Sequence, residues 1–181
     1  MTLKGQIVEI PVTSLLYKRV QPDFLSKKEQ LIWKSEERKY SLFDGFLVGE
    51  HSGLKNFKIG QRKGIKVGGK KQPLYVIQLD EENNRLFVGA GENHPALWTT
   101  VLAFRKNLLQ WNQENLLTIT ELEDGVSVEI ETSVVDNKVP AKLYVFEEQV
   151  FLEFDHSTLI IIKENPFRML YHNSIIAENN K

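Results

Sequence analysis

The residues with the most chemical potential lie in one stretch, "GLKNFKIGQRKGIKVGGKK", from Gly53 to Lys71. It holds five glycines and seven Lys or Arg, and no acidic residue occurs from His51 through Gln78. Glycine lets backbone N–H groups come close to an oxyanion, and clustered cations neutralise it. Three roles fit such a segment: a phosphate cradle, a nucleic-acid surface, or a solvated loop. Its end, "GIKVGGKK", falls one residue short of a nucleotide-binding P-loop. Lys71 stands where Ser or Thr would hold magnesium, and Pro73 intervenes where a helix would begin. Phe57 and Tyr75 offer rings on which a base could stack.

Other chemistry-bearing residues are sparse. His51, His94, His156 and His172 show no metal-ligand spacing and are expected at surface or turn positions. The absence of cysteine excludes disulfides, thiolate metal sites and a Cys nucleophile. No hydroxyl sits in a G-x-S-x-G elbow. No cofactor is expected.

Elements must hold the basic stretch in place. "GQIVEIPV", residues 5–12, reads as a strand. Pro22 and Asp23 open an expected helix through "FLSKKEQLIWKSEERK", with Phe24, Leu25, Leu31 and Ile32 at roughly helical spacing. After the basic stretch, "LYVIQLD", the turn "EENN" and "RLFVGA" form a hairpin pattern. A short helix or turn is expected over His94 to Trp98, and "LLTIT" is a strand candidate. From Gly125 the pattern alternates: Val126, Val128 and Ile130 against Ser127, Glu129 and Glu131. "VPAKLYVF", "QVFLEF", "TLIII" and "FRMLYH" continue it, with Val150, Leu152 and Phe154 facing inward. Strands at this spacing argue for a small barrel. The expected fold is mainly β, two small barrel-like domains with one N-terminal helix. It divides into residues 1–40 (strand and helix), a basic domain over 41–112 and an acidic barrel over 113–181.

The charge pattern supports that division. Residues 1–110 carry 18 Lys/Arg against 11 Asp/Glu, and residues 111–181 carry 5 against 13, within a net charge of -1. Modules of opposite sign suggest different electrostatic partners, or attraction between the halves. The N-terminus lacks the apolar core of an export signal, and the longest aliphatic run, Leu159 to Ile162, is too short to cross a membrane. A cytoplasmic protein is expected.

"GEHSGLKNFKIGQRKGIKVGG" (Gly49 to Gly69) resembles the central domain of the tRNA-specific 2-thiouridylases, the MnmA family, which reads G-E-H-x-G-L-x-x-Y-T-I-G-Q-R-K-G-L-x-I-G-G there. The resemblance continues through "PLYVIQLDEENNRLFVGAGENHPAL" (Pro73 to Leu97) and into "LLQW" (Leu108 to Trp111). It implies a central and a C-terminal β domain that help to hold tRNA. On this view Lys58, Gln61, Arg62, Lys63, Lys66 and Lys70 face RNA. The family's catalytic parts, an S-G-G-x-D-S pyrophosphate loop and two cysteines, do not occur in these 181 residues. The polypeptide is therefore expected to be non-catalytic by itself. Ser133, Val134 and Val135 replace a family Arg-Tyr-Arg, Pro140 retains a family proline, and "AENNK" replaces a closing triple glycine. These departures remove positive charge from the barrel. The resemblance implies a tRNA-binding or tRNA-modification-associated module. The alternatives are a protein-interaction barrel that has lost RNA binding, or one subunit of a split enzyme with a catalytic partner chain supplied in trans.

Overall fold

The computed structural model describes residues 4–112 and 119–181, and for 119–121 the backbone alone. It is mainly β, as the alternating pattern requires. The chain divides into two compact units, residues 1–22 with 37–98, and residues 23–36 with 99–181.

The first unit is built on a four-stranded sheet. Strand β1 (Gly5–Ile10) pairs antiparallel with β2 (Phe46–His51) and parallel with a later strand, so it is central. That later strand, β4 (Arg85–Ala90), makes the expected hairpin with β3 (Leu74–Asp80), giving the order β2-β1-β4-β3. The turn works through its polar residues: the Asp80 carboxylate accepts the Asn83 N–H at 3.1 Å, and Asn84 takes a left-handed φ of 53°. Leu86, Phe87 and Val88 are consecutive and all fully buried, because apolar groups cover both faces of this sheet. Val8, Ile10, Ile77 and Phe87 pack with Tyr40, Ala96 and Leu97 on one face. Ile7, Val76, Leu86 and Val88 pack on the other.

The second unit is a seven-stranded sheet. Its strands are β5 (Trp98–Arg105), β6 (Gln110–Trp111), β7 (Val126–Thr132), β8 (Val139–Phe146), β9 (Gln149–Leu159), β10 (Phe167–Tyr171) and β11 (Ser174–Asn179). They run in the order β5-β9-β8-β7-β10-β11-β6 around one apolar core. Val150, Leu152 and Phe154 enter that core, as the alternation requires. Phe151 is nonetheless only 1% exposed. It lies on the opposite face with Tyr144 and Val101, under Leu31 of helix α1 (Lys27–Ser35).

Several expectations need correction. The helix begins at Lys27 and not at Pro22. Ser26 accepts the Glu29 N–H at 3.2 Å, and the Glu29 carboxylate accepts the Leu25 N–H at 3.0 Å. This cap closes the first turn and leaves Leu25 outside, exposed. The helix belongs with the second unit and the N-terminal strand with the first, so residues 1–40 do not stand together. The second unit also begins earlier than 112–114, because Leu102, Phe104 and Leu109 lie in its core. "TLIII" stops being a strand at Leu159, and Ile160–Glu164 turn into a 3-10 helix. Most of "LLTIT" lies outside the described residues; its last two residues open a second short helix, α2 (Ile119–Asp124). Strands β2, β5, β6 and β11 were not anticipated.

Candidate nucleic-acid interface

The basic stretch leaves β2 at His51 and runs to the start of β3. It is neither a phosphate cradle nor a free coil. It is a strap that covers the second face of the four-stranded sheet. Leu54, Phe57, Ile65 and Val67 turn inward against the cluster around Ile7, Val76 and Val88. Lys58, Arg62, Lys63 and Lys66 face solvent between them. Apolar and charged residues thus take opposite sides of one segment, the division that burial enforces on any backbone lying flat on a core.

Backbone bonds tie the strap to β3. The Gly60 N–H donates to the Val76 carbonyl at 2.8 Å, and the Val76 N–H donates to the Gln61 carbonyl at 2.9 Å. The Gln61 side chain closes the loop on itself. Its Oε1 accepts the Lys58 N–H at 2.9 Å, and its Nε2 donates to the carbonyls of Lys63 at 2.8 Å and Asn56 at 3.3 Å. Gly64 follows at φ 88°, a left-handed geometry that a side chain would strain. Arg62 and Lys63 therefore project from a backbone pinned on either side of them.

The strap is anchored by a histidine. His51 is buried, its Nδ1 accepts the Gly53 N–H at 3.1 Å, and its Nε2 lies 3.3 Å from the Asn84 carbonyl. Phe57 meets its ring edge-on. His94 plays a parallel part after β4. It is 1% exposed, its Nδ1 accepts the Ala96 N–H at 3.3 Å, and its Nε2 faces the Ile10 carbonyl at 3.0 Å. Burial holds its imidazole below the ordinary histidine range, and the Ile10 carbonyl opposes that shift only in part. A Cβ on Gly89 would lie 2.5 Å from the His94 ring, so glycine is required there. The expectation of surface or turn histidines holds for the exposed His156 and His172 but fails for His51 and His94, whose bonds to backbone offset the cost of burial. The sequence signal that could have found them is the short spacing His51-x-Gly53 and His94-Pro95-Ala96, where a ring nitrogen reaches an N–H two residues on.

The six residues singled out in the sequence thus separate. Lys58, Arg62, Lys63 and Lys66 share the outer side of the strap, and among the described residues no carboxylate pairs with them. Lys70 is exposed but ion-paired with Glu9. Gln61 is committed to its own loop.

Comparison with known proteins places these observations. A family described as "tRNA methyl transferase PRC-barrel domain" matches residues 23–90. The chain is 35% identical over 159 residues to the "tRNA-specific 2-thiouridylase MnmA" of Karelsulcia muelleri, covering 87% of this chain and 38% of that protein. It is 32% identical over 170 residues to the protein of the same name from Christiangramia forsetii, covering 94% and 42%. With "tRNA-specific 2-thiouridylase MnmA 1" of Geobacillus kaustophilus the identity is 52% over 61 residues, covering 33% and 16%. The chain spans about two fifths of the length of the first two relatives. Over most of its length, the chain is a homologue of the MnmA family of tRNA-specific 2-thiouridylases and corresponds to their C-terminal half.

Proposed function

We propose that the chain is a tRNA-binding module whose strap contacts the phosphate backbone. The observation that carries this reading is the row of four solvent-facing cations, Lys58, Arg62, Lys63 and Lys66, on a backbone that the Gln61 amide and two bonds to Val76 hold in place. Preorganised cations bind a polyanion without first ordering a loop. Arg62 can fork onto two phosphate oxygens, and each lysine adds a point charge. Such contacts position RNA without reading its bases.

Salt dependence tests this. Each phosphate neutralised on single-stranded RNA contributes roughly -0.7 to the slope of log affinity against log salt, so four contacts give about -3. Replacing Arg62 and Lys63 together with Ala should flatten the slope by about 1.4 and weaken all tRNAs alike. An unchanged slope in a variant that melts like the parent would refute the reading.

The sulfur chemistry named for the relatives needs a thiolate, and these 181 residues contain none. On this reading these 181 residues do not carry out that sulfur chemistry by themselves. Thiolated tRNA formed by the purified polypeptide with ATP, magnesium and a persulfide donor would overturn that statement.

A further inference from the structure

The rings that the sequence offers for stacking, Phe57 and Tyr75, are packed into the two clusters of the four-stranded sheet. Two other rings of the first unit stand in solvent. Phe43, in the 3-10 turn Leu42–Asp44, is 96% exposed, and Phe46, the first residue of the edge strand β2, is 66% exposed. A ring left in water forgoes the stabilisation that burial gives it, so two of them within four residues mark a contact surface.

The register fixes which way Phe46 points. Ile7 belongs to the cluster under the strap, and Val8 and Ile10 to the cluster on the other face. Alternation therefore puts Glu9 on the strap's face. Phe46 is paired directly opposite Glu9, so its side chain shares that face. Lys70 reaches Glu9 as an ion pair, which ties the end of the strap to this corner of the sheet. Between Lys66 and Lys70 lie only the inward Val67 and two bare glycines; a Cβ on Gly68 or Gly69 would meet nothing within 4 Å. The carboxylates of the corner are each engaged: Glu9 by Lys70, Asp44 by the N–H and hydroxyl of Ser41 at 2.7 Å, and Glu50 by Lys4 at 3.6 Å.

We propose that Phe46, with Phe43, is a stacking platform for unpaired bases of an RNA whose phosphates follow the strap. The proposal rests on the strap reading and extends it from phosphate to base. Rings at the end of a row of cations suit a ligand that carries a π face and an anion in every unit, as each nucleotide does. A polypeptide matched to the same surface would have to be apolar at one end and acidic along the rest. Leu47, exposed beside Phe46, widens the apolar area without supplying a π face.

The test titrates the full chain with a labelled oligouridine strand, and with an RNA duplex of the same length, at several salt concentrations. Phe46→Ala should weaken the single strand roughly tenfold, the worth of one stacked base. The salt slope should stay as in the parent, because no cation is lost. Duplex binding should not change, because its bases are already stacked on one another. Phe46→Trp should bind at least as tightly as the parent. Phe46→Leu keeps the apolar bulk and loses the ring, so it should bind as weakly as the alanine variant. Parent-like affinity of folded Phe46→Ala would overturn the proposal, and a slope still flattened by Arg62→Ala with Lys63→Ala would leave the strap reading standing. A weakened Phe46→Ala beside an unflattened strap variant would sink the strap reading and keep the ring contact. No binding of the single strand by the parent would overturn both. Full affinity in Phe46→Leu, or self-association of the parent that Phe46→Ala abolishes while RNA affinity holds, would assign the patch to a protein contact and overturn the proposal.

Discussion

Gln61 has the side chain of an RNA contact and the bonds of a structural clamp. Its amide meets one N–H and two carbonyls within its own loop. Gln61→Ala should therefore cost about 1 kcal/mol of stability, the net worth of such bonds on a partly exposed group. It should weaken RNA binding while the salt slope stays as in the parent, because no cation is lost. A flattened slope in the filter-binding titration would show that Gln61 touches phosphate after all. His94 carries a second prediction. Its pKa is lowered in the fold, so the native state takes up fewer protons than the unfolded chain as pH falls below about 6.5. The stability supplied by the neutral ring is present above that value and is lost as pH drops through the folded pKa. His94→Asn removes the titration and should flatten this part of the curve. Urea midpoints from pH 7.5 to 5 measure both proteins, and parallel curves would exclude His94 as the source.

At the scale of elements, helix α1 is short and mostly half-buried, and at nine residues its propensity alone would not keep it folded. Packing holds it. Leu31 is fully buried against Val101, Tyr144 and Phe151. Glu153 of β9 receives Lys27 at 2.6 Å and Lys34 at 3.0 Å, one helical residue on either side of Leu31 in space along the same face. Burial would raise the Glu153 carboxyl, but bonds to the two lysines outweigh it and hold it below its usual range. Leu31→Ala removes the buried side chain without touching these charges. It should destabilise the second unit by 2–5 kcal/mol, about the range for such truncations. Urea denaturation followed by β-type circular dichroism reports the effect. A loss of helical signal with the sheet's midpoint unmoved would mean that α1 is merely attached to the surface.

For the whole molecule, the decisive elements are β5 and β6, the two edges of the seven-stranded sheet. Leu102 and Phe104 on β5, and Leu109 just before β6, are core residues that precede the acidic stretch. A fragment over residues 99–181 keeps both edges but lacks α1, so it should melt cooperatively at a lower temperature than the second unit in the full chain. One over 113–181 loses both edges and three core side chains, and should not fold cooperatively. Equal melting temperatures for the two fragments would contradict this. The charge change near residue 111 marked a real compositional border, but packing sets the structural one a dozen residues earlier.

Local patterns in the chain determined its β class, the β3–β4 hairpin, the inward set Val150, Leu152 and Phe154, and the basic outer side of the strap. Each of these depends on neighbours a few residues apart, through turn chemistry or side-chain alternation. The resemblance of Gly49 to Leu97 to the MnmA family was legible for the same reason, as a long contiguous run. Only the tertiary structure decided that Gln61 turns inward, that His51 and His94 are buried, and that Phe151 is covered by Leu31 from 120 residues away. Those outcomes rest on which distant segments meet. A single chain's periodicity contains no record of that, because burial is settled by the partner that arrives and not by the residue that waits.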